Sequence, residues 1–217
     1  FNTLLGDGIA LNRVTSIIIQ NDGKIIIGGG FVYGGQHKSV VRLNTDGSND
    51  NSFTKGNTQN PVNVLALDTN GKILVGGSFT SYNNTSVGGM LRLNTDGSID
   101  ITFSATIRNI PNVLALGILK DGKILVGGDL RYYIANSVDK YNLVRLNSNG
   151  SLDNSFETPF YPPGRHTVNS IVTLANGKII IGGSLQYFYG QNNALIARNN
   201  IAGLNSDGSL DTKINPC

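Results

Sequence analysis

Apolar and polar positions along the chain follow one pattern four times over: a β-branched run, a cluster of Asn, Asp and Gly, a second apolar run, and a pair of glycines. The copies are VTSIIIQNDGKIIIGG from Val14 to Gly29, VNVLALDTNGKILVGG from Val62 to Gly77, VLALGILKDGKILVGG from Val113 to Gly128 and VNSIVTLANGKIIIGG from Val168 to Gly183. Their central glycines, Gly23, Gly71, Gly122 and Gly177, stand 48, 51 and 55 residues apart. A second landmark follows each copy: RLNTDGSND from Arg42, RLNTDGSID from Arg92, RLNSNGSLD from Arg145, and GLNSDGSLD with Gly203 in place of the arginine.

Each unit reads as strands. Thr15 to Gln20 and Lys24 to Gly28 bracket Asn21-Asp22-Gly23, and Asn/Asp-Gly between apolar runs predicts a tight primed hairpin turn. A third strand is expected at Val40 to Leu43, Met90 to Leu93 and Leu143 to Leu146, and within Leu195 to Leu204 in the last unit. A second turn then leads to a short fourth strand ending in Phe53, Phe103, Phe156 or Ile214. The expectation is an all-β chain, a single β-propeller domain over residues 1–217, with four-stranded antiparallel meanders of about 50 residues at roughly 10–53, 60–103, 111–156 and 166–214. Such a set forms a closed four-bladed ring, or an arc or half of a larger propeller, and an open arc leaves strand edges for self-association. The paired glycines predict a crowded position or a bulge where no Cβ fits.

The pattern V-x5-DGKILVGG-F…RLNSDGSLD-x-SF resembles the delta-60 repeat, a β-propeller-like repeat found mainly in bacterial secreted and surface proteins. The resemblance runs from about Val14 to Ile214. It implies the fold and an extracellular or cell-surface setting, with a virion as the alternative, and it carries over no catalytic residue.

Composition narrows the chemistry. Gly and Asn number 28 each, Trp is absent, and no apolar run is long enough for a membrane-spanning helix, so no membrane insertion is expected. The N-terminal residues show no start methionine or signal-peptide pattern, which suggests a processed product or a piece of a longer protein. The single Cys217 offers no disulfide framework. A net charge of +3, with Lys and Arg spread singly, does not describe a nucleic-acid surface. Two histidines, His37 and His166, are read as exposed loop residues, and Glu157 is the sole glutamate, so an enzyme would rest on aspartates such as Asp129 and Asp139. The alternating oxygens of Asn44, Asp46, Ser48 and Asp50 resemble half of a calcium loop; the competing reading is a turn whose last aspartate caps backbone N–H groups or pairs with Arg42. No cofactor is expected, with calcium kept as the alternative.

Topology then separates two ends. The turns between strands one and two and between three and four are short and nearly identical, whereas the two–three loops and the inter-blade links are long, varied and rich in tyrosine. Tyrosine rings beside amides suit a sugar or a polar protein surface. The candidate ligand-binding residues are Tyr33, Tyr82, Asn84, Tyr133, Tyr187, Tyr189 and Asn192, while Phe31, Phe79, Leu130 and Leu185 are expected to plug blade ends. The expected function is non-enzymatic recognition of a glycan or protein on a cell or particle surface. A structural role in a surface or phage-like assembly is the alternative.

Overall fold

The computed structural model describes residues 10–33, 36–105, 112–132, 140–160, 166–190 and 194–214. Every regular element among them is a β-strand. The chain divides into two compact units, Phe1–Asn109 and Ile110–Cys217, each holding two repeats.

In the first unit, β1 (Ala10–Ile19), β2 (Ile25–Tyr33) and β3 (Gln36–Leu43) form one antiparallel blade. The second blade joins β4 (Val62–Leu67), β5 (Ile73–Gly77) and β8 (Met90–Leu93), with a small hairpin of β6 (Ser81–Tyr82) and β7 (Thr85–Ser86) inserted before β8. In the second unit, β9 (Asn112–Ile118), β10 (Ile124–Tyr132) and β11 (Lys140–Leu146) make the third blade. The fourth joins β12 (Thr167–Thr173), β13 (Ile179–Ser184) and β16 (Ile201–Leu204), with the inserted pair β14 (Tyr187–Tyr189) and β15 (Leu195–Ala197).

Two expectations need correction in detail. The fourth run of each repeat is an isolated bridge, such as Leu43↔Asn49 or Leu204↔Leu210, and not a strand. The cause is the aspartate that follows: the backbone N–H of Ser52 donates to the Asp50 carboxylate, and that of Phe53 donates to the Asp50 carbonyl, which turns the chain out of the ladder. The hairpin turns are also not primed. Gly23 N–H donates to Gln20 C=O, Gln20 N–H donates to Lys24 C=O, and of the three loop residues only Gly23 has positive φ, which is a type I turn closed by a glycine bulge. The same bonds recur at Gly71, Gly122 and Gly177, and again at Gly47, Gly97, Gly150 and Gly208.

The paired glycines behave as expected. A Cβ on Gly28 would lie 2.9 Å from Leu65 of the next blade, and one on Gly29 would lie 2.2 Å from the carbonyl of Arg13 in its own inner strand. Gly127 abuts Val168 and Ile171 in the same way, and register shifts mark a bulge opposite each pair. The first glycine therefore makes a hollow for a side chain of the following blade, and the second accommodates the bulge. Ile26, Val40, Val62, Leu65, Val75 and Leu91 fill the core between the first two blades; Leu125, Leu143, Val168, Ile179, Ile181 and Leu204 do so between the last two.

Candidate functional site

The turn end is built for rigidity. Asp50 Oδ2 accepts from Lys24 Nζ at 2.7 Å and Arg42 Nε at 2.8 Å, and its Oδ1 accepts from Ser52 N and Oγ. The Arg42 guanidinium lies over the Phe53 ring, 4.8 Å from its centroid, and donates across to the carbonyl of Thr95 in the next blade. Asp100 with Lys72, Arg92 and Phe103, and Asp153 with Lys123, Arg145 and Phe156, repeat the cluster. In the fourth repeat Asp211 keeps Lys178, while Gly203 replaces the arginine and Ile214 replaces the ring: a Cβ on Gly203 would lie 2.7 Å from Ile214. The Lys24 ammonium, then Ser52, hold the Asp50 carboxyl well below the usual carboxylate range. Burial alone would raise Asp100 and Asp153, but their lysine, hydroxyl and arginine donors outweigh it and both are strongly lowered.

The aspartates of the turns are spent on backbone. Asp46 Oδ1 accepts from Ser48 N–H at 2.8 Å, and Asp96, Asn149 and Asp207 do the same at the equivalent turns. Among the described residues no three Asp, Glu, His or Cys side chains gather as metal ligands. Asp129 is exposed in β10, and Asp139 lies outside the described residues.

At the loop end, the starts of β1 and β3, the end of β2 and the link 57–61 enclose a cleft of about 470 Å³ between the first two blades. Arg13, Lys38, Asn57, Gln59 and Asn60 line it together with Gly30, Phe31 and Pro61, and among the described residues no carboxylate does. Arg13 pairs with Gly30 on one side of β2 and Lys38 with Phe31 on the other. Ser39 Oγ is bound by Thr58 Oγ1 at 2.6 Å, which fixes the link against β3. The sequence gives no local signal for this pair, because 25 positions separate Arg13 from Lys38.

The sequence-predicted residues are not brought into one cluster. Tyr82 is fully buried in the core between the first two blades, pressed over Gly56, and its hydroxyl has no hydrogen-bond partner. Burial pushes the Tyr82 phenol pKa up. Tyr82, expected among the ligand-binding residues of the loop end, is instead covered, because Thr58 bridges to it and the link passes over the ring. Phe188 fills the corresponding place in the fourth blade, bridged to Phe160 with ring centroids 5.1 Å apart. Asn84 is exposed at the tip of the β6–β7 hairpin, where Asn83 and Asn84 both have positive φ, and Asn83 is tied to Asn57. Tyr187 is exposed on β14 and Tyr189 half-buried. Tyr33 ends β2 with its side chain outside the described set, and Tyr133 and Asn192 also lie outside it. Phe31, Phe79, Leu130 and Leu185 are buried plugs, as expected. His166 is buried, contrary to its reading as an exposed loop residue: it packs near Phe160, and its Nδ1 faces the Gln186 N–H at 3.4 Å.

Comparison with known proteins bears on the fold. No curated protein matches the chain. Among solved structures, a Bacteroides caccae protein of unknown function aligns with a TM-score of 0.52 and 15% identity over 94% of this chain and 66% of its own. The extracellular domain of a protein assigned as a one-component system of B. thetaiotaomicron aligns at a TM-score of 0.48 and 17% identity, over 92% of this chain and 23% of its own. PorZ, a surface component of the Porphyromonas gingivalis type-IX secretion system, aligns at 0.43 and 14%, over 90% of this chain and 26% of its own. The chain thus spans less than two-thirds of each. Residues 20–53, 69–103, 119–156 and 174–213 match the family described as "Domain of unknown function (DUF5122) beta-propeller". These four matches coincide with the repeating glycine turns and Lys–Asp clusters, and the chain belongs to the DUF5122 β-propeller family.

Proposed function

We propose that the chain is a non-enzymatic recognition module of delta-60 type that works outside the cell or on its surface. It binds a glycan or a protein through the loop end, centred on the cleft between the first two blades. The observation that carries this reading is the cleft's makeup. Exposed Arg13 and half-buried Lys38 line it with no carboxylate among the described residues, amides supply donors and acceptors, and Pro61 adds apolar surface. That set suits an acidic saccharide, whose carboxylates take charge-assisted hydrogen bonds while the sugar face lies on apolar surface.

Titration calorimetry with an oligogalacturonate, against a neutral oligosaccharide of equal length, tests it. Arg13→Ala and Lys38→Ala should each weaken binding tenfold or more, in keeping with the roughly 1.5–3 kcal/mol of a hydrogen bond to a charged group. Equal affinity in both variants, or for the neutral sugar, removes this cleft as the site. A second reading, a structural part of a surface or phage-like assembly, is favoured by the open apolar blade faces that carry Ile17 and Ile19, and Val172 and Ile201.

A further inference from the structure

The arginine of the turn end is completed differently from one repeat to the next. Arg42 Nη1 donates to Gln20 Oε1 at 3.2 Å as well as to the Thr95 carbonyl, and Arg92 Nη1 donates to Asp68 Oδ2 at 3.1 Å. Gln20 and Asp68 hold the same place, since the carbonyl of each accepts from the turn glycine three residues on, Gly23 or Gly71. Leu119 holds that place in the third repeat, with Gly122 N–H on its carbonyl. Its side chain has no acceptor to offer.

Arg145 is therefore short of a partner. Its Nε donates to Asp153 at 2.7 Å, its Nη1 to the Ser206 carbonyl and its Nη2 to Ser155 Oγ at 3.3 Å. Each Nη of a guanidinium carries a pair of N–H groups, so one N–H on Nη1 has no acceptor among the described residues, although the side chain is buried. Arg145 and Leu119 both line a cleft of about 480 Å³ between the third and fourth blades, all of it inside the second unit. Thr173 Oγ1 donates to the Ile118 carbonyl and Lys120 Nζ to the Ala175 carbonyl, both at 3.3 Å, which ties one wall to the other. Leu119 and Leu174 are half-buried and Ala175 is exposed, so solvent reaches this apolar wall. The equivalent cleft of the first unit, about 350 Å³, has Gln20 where Leu119 stands and Asn21 where Lys120 stands. Asp121, also on the lining, is exposed and accepts from Lys123 N–H at 3.1 Å, and Asp207, next to Ser206, is held by Ser209 N–H and Oγ.

We propose that the cleft between the third and fourth blades binds a small amphipathic carboxylate. Its anionic head takes the place on Arg145 that the Gln20 and Asp68 side chains fill on Arg42 and Arg92, and its aliphatic or aryl body lies on Leu119, Leu174 and Ala175. The first two repeats show that an amide oxygen and a carboxylate oxygen both fit this place on the arginine. A carboxylate is the stronger partner, because its hydrogen bonds are charge-assisted and Lys120 adds a second cation to the lining. The site shares no residue with the loop-end cleft, so neither reading rests on the other.

Titration calorimetry with octanoate, against octanol and acetate, tests it. Octanoate should bind saturably at one site per chain, and octanol and acetate should each bind about tenfold more weakly or worse, since one lacks the charge and the other the apolar body. Leu119→Gln gives the third repeat the acceptor of the first and should weaken octanoate about tenfold or more, by occupying the N–H that the ligand needs. The same variant should melt no lower than the unmodified chain in circular dichroism, because it satisfies Arg145 from within. Should it fail to fold, Leu174→Asp replaces it, setting a carboxylate against that of the ligand, with the same loss expected. Absence of saturable octanoate binding, equal affinity for octanol, or octanoate binding that survives the substitution overturns the proposal.

Discussion

At the scale of single residues, the same position carries different consequences in different repeats. Tyr82 and Phe188 hold equivalent plugs, but only Tyr82 buries an oxygen with no partner. Such a group costs about 1–3 kcal/mol, so Tyr82→Phe should raise stability by up to that amount in urea unfolding. An unchanged or lowered midpoint would mean that the hydroxyl is satisfied in solution. The spacing of Phe79 to Tyr82 and of Leu185 to Phe188 is the sequence signal that marks Tyr82 as a plug, since an aromatic three residues beyond the first plug falls under the inter-blade link in both. Tyrosine's reputation as a contact residue outweighs that spacing when residues are judged one at a time. The Arg13–Lys38 pair is illegible for the opposite reason, because only the pairing of β1 and β3 on either side of β2 brings both to one end of the blade.

At the scale of elements, the repeat was readable because apolar runs, turn glycines and glycine pairs all recur in step. The kind of turn was not, since Asn-Gly and Asp-Gly serve both a primed turn and a type I turn with a glycine bulge, and the side-chain cap of the following aspartate decides where pairing stops. The hollow gives a paired prediction. Gly127→Ala places a Cβ 2.7 Å from Val168 and should cost about 1–3 kcal/mol, whereas a Cβ on Gly182 makes only ordinary contacts at 3.9 Å and Gly182→Ala should be near neutral. Equal costs in chemical denaturation would mean that the two faces are not equivalent.

At the scale of the whole molecule, the Lys–Asp clusters add up. Asp50, Asp100 and Asp153 have folded pKa values depressed below the unfolded value of about 3.9, so their stabilisation is complete above that pH and is lost as pH falls towards the folded values. Calorimetric melting should therefore be level from about pH 7 to 5 and drop steeply below about pH 4, with Asp100→Asn shallower in the acid limb. A midpoint that falls between pH 7 and 5 would place the sensitivity elsewhere. The fourth repeat stands apart because Gly203 and Ile214 have changed as a pair. Gly203→Arg alone should destabilise the chain, since its Cβ would collide with Ile214, and adding Ile214→Phe should recover the loss, as a double-mutant cycle would show. The last repeat thus cannot take up the arginine of the other three in one step, because the side chain at 214 has to change with it.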